Sequence, residues 1–160
     1  MELWDLYNID GKKIGKTHIR GEKVPTDCYH IVVHILIKNS RGELLIQKRS
    51  KNKESAPGEW AFTGGSATIG ETSLEAALRE LEEETGIEIE SLEFHKRLIH
   101  HRCFADIWFG YFDVDVEKLE FQEEEVSALA FESIESIKKM IKDGNFHRYE
   151  DEYLREVFKI

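Results

Sequence analysis

Glu80, Glu83 and Glu84 stand at spacing i, i+3, i+4, so on a helix their carboxylates share one narrow face. Like charges so placed repel by roughly 0.2–0.5 kcal/mol per exposed pair, and by more when partly buried. A divalent cation relieves that repulsion. Carboxylate oxygens suit Mg²⁺ or Mn²⁺, and Mg²⁺ keeps water and takes substrate phosphates as further ligands. The alternative is a solvated acidic face made of a good helix former. Such a face normally interleaves lysine at i+4. No lysine occurs between Gly65 and Ile87, where six glutamates stand against one arginine.

The helix is bounded on both sides. Thr72-Ser73-Leu74-Glu75 reads as a capping box, with Thr72 as N-cap and Glu75 reaching back, and Gly86 accepts the left-handed position that ends a helix. At about 100° per residue, Leu74, Ala77, Leu78 and Leu81 form one stripe for the core. Glu80, Glu83 and Glu84 lie beside that stripe. Glu75, Arg79 and Glu82 fall on the far side.

The whole stretch resembles a known motif. Gly65, five residues, Glu71, seven residues, Arg79-Glu80-Leu81, one residue, Glu83-Glu84, one residue, Gly86-Ile87 is similar at every defined position to the Nudix box of the Nudix hydrolase superfamily. The resemblance implies an α/β (α+β) fold, an α/β/α sandwich around a mixed β-sheet. It also implies metal-dependent hydrolysis of a nucleoside diphosphate linked to another moiety, or of a related organic diphosphate. Carried over by position, it makes Glu80, Glu83 and Glu84 ligands of Mg²⁺ (or Mn²⁺). Arg79 would orient a glutamate of the site, Glu71 would support the box, and the Gly64-Gly65 backbone would shape the loop against substrate. The general base would be Glu80 or a glutamate of a later loop. Many members place that glutamate before a short strand, here Glu123-Glu124-Glu125-Val126, with Glu125 the first choice and Glu124 the second. A solvated acidic loop is the plainer reading of those three.

Composition agrees. A length of 160 residues suits one domain, 1–160, with a proper core. Hydrophobic content of 41% and charged content of 34% are ordinary for a globular chain. A net charge of −10 argues against non-specific nucleic-acid binding, but a bound metal inverts the local charge for a small phosphorylated substrate. Cys28 and Cys103 form neither a disulfide framework nor a zinc pattern, which suits a reducing cytoplasm. No signal peptide is visible, and the longest apolar run, around Ile31 to Ile37, is too short to span a bilayer. The expected partner is a small-molecule diphosphate, with no nucleic acid and no membrane. Nudix relatives are often homodimers, though no segment here marks an interface.

The elements that position the glutamates follow from pattern. Residues 3 to 20 read as a hairpin around Asn8-Ile9-Asp10-Gly11, with a connector to residue 26. Tyr29 to Lys38 reads as a strand buried on both faces and hairpins with Glu43 to Lys48. Trp60-Ala61-Phe62 is a short strand that delivers the chain to Gly64-Gly65. Leu92 to His101, Asp106 to Val114 and Ser127 to Phe131 read as strands. Ser133 caps a helix through Lys142, and Arg148 to Phe158 reads as a last helix.

Lys48, Arg49, Lys51 and Lys53 cluster in an otherwise acidic chain. Arg49 closes a strand that should end near the site, and is the candidate for a bidentate phosphate contact. Trp60, Phe62, Trp108 and Phe109 could stack on a base, though aromatics in strands are more often core. His30 and His34 share one strand face; without a third metal partner, a hydrogen-bonded structural role is simpler.

Two rivals remain. Leu3-Trp4-Asp5-Leu6-Tyr7, His30, Pro57-Gly58-Glu59-Trp60 and the C-terminal helix are similar to the isopentenyl diphosphate isomerase branch. That branch needs a catalytic cysteine that Phe62-Thr63-Gly64-Gly65-Ser66 lacks, and Phe104-Ala105-Asp106-Ile107-Trp108 stands near its later glutamate-rich segment. A non-catalytic, nucleotide-sensing Nudix domain is the second rival, and the intact Glu80, Glu83 and Glu84 argue against it.

Overall fold

Ile31, Val33, Ile35 and Ile37 alternate with Val32, His34 and Leu36 along the central strand, β3 (His30–Lys38), and this alternation separates two cores. The computed structural model describes residues 1–160. On the odd face lies helix α1 (Ser73–Thr85), whose Ala76, Ala77 and Leu81 are fully buried. On the even face lie α2 (Ile134–Lys142) and α3 (Asp151–Val157), which contribute Ile137, Tyr153 and Val157. The expected α/β/α sandwich is present. No helix is long and apolar enough to cross a membrane.

The other strands are β1 (Leu3–Tyr7), β2 (Lys13–Ile19), β4 (Leu44–Arg49), β5 (Trp60–Ala61), β6 (Thr63–Ser66), β7 (Glu93–His100), β8 (Cys103–Tyr111) and β9 (Val126–Glu132). The main sheet is mixed: β3 and β8 run parallel, and the remaining pairs are antiparallel. β3 and β4 form the predicted hairpin, but they pair only at Lys38 and Leu44. Beyond that pair the hairpin opens and the later chain fills the gap. Trp60 and Ala61 pair with Lys48 and Gln47 of β4, whereas Thr63 to Ser66 pair with Ile35 to Val32 of β3. Phe62 makes the change of partner. Gly64 and Gly65 therefore lie in a strand, not in the loop that the glycine pair suggested.

The N-terminal hairpin β1–β2 is a separate two-stranded sheet, as expected. It docks through reciprocal backbone bonds between Tyr7 and Tyr29 and through Ile69 N–H donating to the Leu3 carbonyl. Gly70 N–H donates to Asp5 Oδ2 at 2.8 Å. The last helix starts three residues later than predicted. Asn145 and His147 bond through their backbones to Trp60, which holds 145–147 extended until Asp151.

Candidate active site

Both ends of α1 close as the sequence implies. Thr72 Oγ1 accepts the Glu75 N–H at 3.1 Å, Glu75 Oε1 accepts the Thr72 N–H at 3.3 Å, and Gly86 takes φ 78°. The helix lies against β6 so closely that a Cβ at Gly65 would overlap the Glu80 carboxyl, and β3 lies so close that one at Gly64 would stand 2.5 Å from the Val33 carbonyl oxygen. The two glycines permit that approach.

Glu80, Glu83 and Glu84 converge on this contact, in a cleft of about 270 Å³ that Gly64, Gly65, Arg49, Lys53, Arg79 and Glu125 also line. Glu84 is 6% exposed. It accepts the Gly64 N–H at 3.1 Å and a Gln47 Nε2–H at 3.2 Å, and Gln47 in turn accepts the Thr63 hydroxyl at 3.0 Å. Burial nevertheless pushes the Glu84 carboxyl up to about 7. Burial, followed by the charge of Glu84, pushes Glu80 up to about 8.

Arg79 is the hub. Its Nε and Nη2 hold Glu71 bidentately at 2.7 and 2.9 Å, Nη1 donates to Glu80 at 3.0 Å and Glu83 at 3.1 Å, and Nη2 donates to the Ser66 carbonyl at 3.1 Å. The helical wheel placed Arg79 on the far side. Arg79 and Glu83 are in fact spaced i, i+4 and share a face, and from there the guanidinium extends to Glu80 and Glu71. Glu71 also accepts the Thr68 N–H and hydroxyl at 2.7 and 2.6 Å. Burial alone would raise Glu71, but the bonds from Arg79 and Thr68 outweigh it and hold the carboxyl at about 2.

Opposite the glutamates, Lys53 forms an ion pair with Glu125, and Arg49 Nε donates to the Ser55 carbonyl at 3.0 Å. Ser50 N–H bonds the Glu125 carbonyl and Gln122 N–H bonds the Glu83 carbonyl, which ties both loops to the cleft. Glu2, Arg20, Val32 and Gln122 line the cleft without having been singled out in the sequence. Arg20 and Glu2 reach the cleft from the hairpin, paired at 2.9 Å, with Glu2 also accepting the Trp4 indole N–H at 2.8 Å. No local pattern marks them, because their place depends on how the hairpin docks. Lys48, Lys51, Glu123 and Glu124 do not line the cleft. Phe62 is core, and the Trp108 indole donates to Ser73. His30 stacks on Trp4 at 3.9 Å, and its buried Nδ1 has no partner, contrary to the hydrogen-bonded role expected for it.

The three carboxylates do not form a ready-made chelate. Arg79 holds Glu80 and Glu83, and Gly64 with Gln47 holds Glu84. The donor set still fits a hard divalent cation. It is all oxygen and anionic, and burial, with the mutual repulsion of Glu80 and Glu84 behind it, drives Glu80 toward protonation, a cost that a cation would offset.

The description of the NUDIX domain family matches residues 29–153. The chain belongs to the Nudix family. It is 41% identical over 163 aligned positions to an uncharacterized Nudix hydrolase of Listeria monocytogenes, covering 100% of this chain and 95% of that one. It is 32% identical over 132 positions to an isopentenyl-diphosphate Delta-isomerase of Pectobacterium atrosepticum, covering 76% and 68%. Its fold is similar to that of DR0079 from Deinococcus radiodurans, with TM-score 0.80 at 24% identity over 96% and 98% of the two chains. It is also similar to the NUDIX domain of Shewanella oneidensis NrtR, solved with ADP ribose, with TM-score 0.66 at 13% identity over 89% and 92%. In this Nudix hydrolase the hairpin β1–β2 precedes the matched region, yet it supplies Glu2 and Arg20 to the cleft.

Proposed function

We propose that this Nudix hydrolase cleaves a diphosphate bond in a nucleoside diphosphate linked to another moiety, with Mg²⁺ (or Mn²⁺) held by Glu80, Glu83 and Glu84. One observation carries the reading: the α1 carboxylates meet the Gly64-Gly65 backbone in the cleft that Arg49 and Lys53 line from the other side. An anionic pole suits a cation, and a cationic pole suits the diphosphate. A divalent cation bound there would offset phosphate charge and lower the pKa of water.

The chain's own groups supply the rest. Arg79, anchored by Glu71, fixes the orientation of Glu80 and Glu83. Arg49 binds phosphate oxygens and holds charge on the leaving phosphate. A substrate phosphate that takes Lys53 releases Glu125, and Glu125 or Glu80 then accepts the proton of the attacking water. The isomerase reading is disfavoured because Phe62 to Ser66 offer neither thiol nor imidazole.

The test is a panel of diphosphate compounds assayed with Mg²⁺ and with EDTA, using Glu83→Gln as the control. EDTA should abolish hydrolysis, and the variant should lose about 10²–10³-fold in turnover while melting like the parent. A folded, fully active Glu83→Gln would sink the assignment. Ligand-dependent stabilisation without turnover would mark a sensor instead.

A further inference from the structure

On the even face of β3, across the sheet from α1, lies a second cavity of about 420 Å³. Its sheet-side lining includes the aliphatic Val32, Leu98 and Ala105, and it is walled by His34, Tyr149 and Tyr153. We propose that this cavity seats the nucleobase of the diphosphate substrate. The proposal rests on the hydrolase reading above and adds where the organic end of the substrate binds.

Four observations support it. Val32 lines both the cavity and the carboxylate cleft. β6 ends at Ser66, opposite Val32, so the route between the cleft and the cavity lies past that end of the strand. From β6 across β3 to β8 is two strand spacings, roughly 10 Å, a separation that a pentose and one phosphate bridge. The size falls within the range of small-molecule sites.

The walls are planar and neutral. Tyr149 and Tyr153 stack at 4.7 Å with 30° between planes, and His34 lies 4.7 Å from Tyr153. Burial keeps the His34 imidazole uncharged near neutral pH. Aromatic rings of this kind stack on any base. The carboxylates of Glu150 and Asp151 on the rim can accept hydrogen bonds from exocyclic amino groups. The Tyr153 hydroxyl is buried without a partner, a state that few native polar groups occupy. An aliphatic chain would use neither the rim nor that hydroxyl, so a heteroaromatic ring is the better occupant.

The experiment is an amide-resolved NMR titration in EDTA, where no turnover occurs. AMP, CMP, GMP, UMP, inorganic pyrophosphate and dimethylallyl diphosphate are the probes. At least one nucleotide should shift Val32, His34, Ala105 and Tyr153, and pyrophosphate should shift only Arg49 to Lys53 and Gly64 to Ser66. His100→Trp, on the exposed rim, should abolish the cavity shifts, and Ala105→Leu should do so from the sheet side. Mn²⁺ broadening at Glu80, Glu83 and Glu84 reports that each variant is folded. Nucleotide shifts confined to the cleft, or a cavity filled by dimethylallyl diphosphate and by no nucleotide, would overturn the proposal. Loss of Mn²⁺ broadening in the parent protein would instead overturn the metal reading, because the nucleotide shifts are read without metal.

Discussion

The two faces of β3 handle polarity in opposite ways. On the α1 side the charges form a network: Arg79 makes five hydrogen bonds, and four of them end on Glu71, Glu80 and Glu83. On the α3 side His34, Tyr149 and Tyr153 are neutral and meet ring to ring, with a hydrogen bond from the Phe62 N–H to the Tyr149 hydroxyl at 3.0 Å. On the proposed reading, the first face takes a cation. The second is arranged around an uncharged surface. One strand, by alternating its side chains, keeps the two chemistries apart while leaving them within a substrate's length.

The contrast breaks most easily at its hub. Arg79→Met should cost about 3 kcal/mol of stability, because it strands partly buried carboxylates, and about 10³-fold in turnover. Arg79→Lys should rescue little, since a point charge cannot replace the bidentate hold on Glu71. Thermal melts and kcat measured together check both.

The glycine pair separates the faces next. Gly65→Ala meets the flexible end of Glu80, so it should lower kcat about 10²-fold and leave the melting temperature nearly unchanged. Gly64→Ala meets the Val33 backbone and should destabilise by about 1–3 kcal/mol. Equal melting temperatures for the two variants would erase the distinction.

Titration gives a third contrast, with opposite signs. Burial raises Glu80 from 4.5 to about 8 in the folded state, so the metal-free protein loses stability as pH rises through that window. Burial lowers His30 and His34 from 6.5 to about 4, so the unfolded chain binds more protons and stability falls as pH drops from 6.5 to 4. The two windows overlap between 4.5 and 6.5 and oppose each other there, so a metal-free melting profile should fall on the alkaline side of 6.5 and on the acid side of 4.5. Mg²⁺ should lift the alkaline arm only, and His34→Gln should flatten the acid arm only. The smallest effect belongs to the hairpin: Arg20→Ala should raise KM about three- to tenfold with kcat unchanged.

The two faces also differ in how legible they were. Glu71, Arg79, Glu80, Glu83 and Glu84 lie within 14 consecutive residues, and helical spacing plus a family motif places them together. The hairpins, the capping box and the sandwich follow from turn signals and from the apolar run of β3. The cavity on the other face draws Val32, the hairpin pair Leu98 and Ala105, and Tyr149 from three distant segments, and no local period connects them. Asp106 was legible only as a strand residue. Its buried carboxylate takes Arg97 bidentately at 2.6 and 2.8 Å and the Ser73 hydroxyl at 2.6 Å, a grouping that only tertiary pairing reveals. Arg79 was misplaced on the far side although its i, i+4 spacing to Glu83 puts the two side by side, where the structure pairs them.

The switch of β5 and β6 between two ladders sets where this chain can change length. From Trp60 to Ser66 the backbone pairs first with β4 and then with β3, with only Phe62 between. One residue gained or lost there would slip the register and invert every later side chain of the strand. Ser66 would then exchange faces with Gly65 and press its side chain into Glu80, while Phe62 would leave the even-face core. Insertions and deletions should therefore be excluded from 60–66 and better tolerated at 115–119, where the chain runs outside the ladders and lines no part of the cleft. The catalytic geometry is protected by its ruler as well as by its residues.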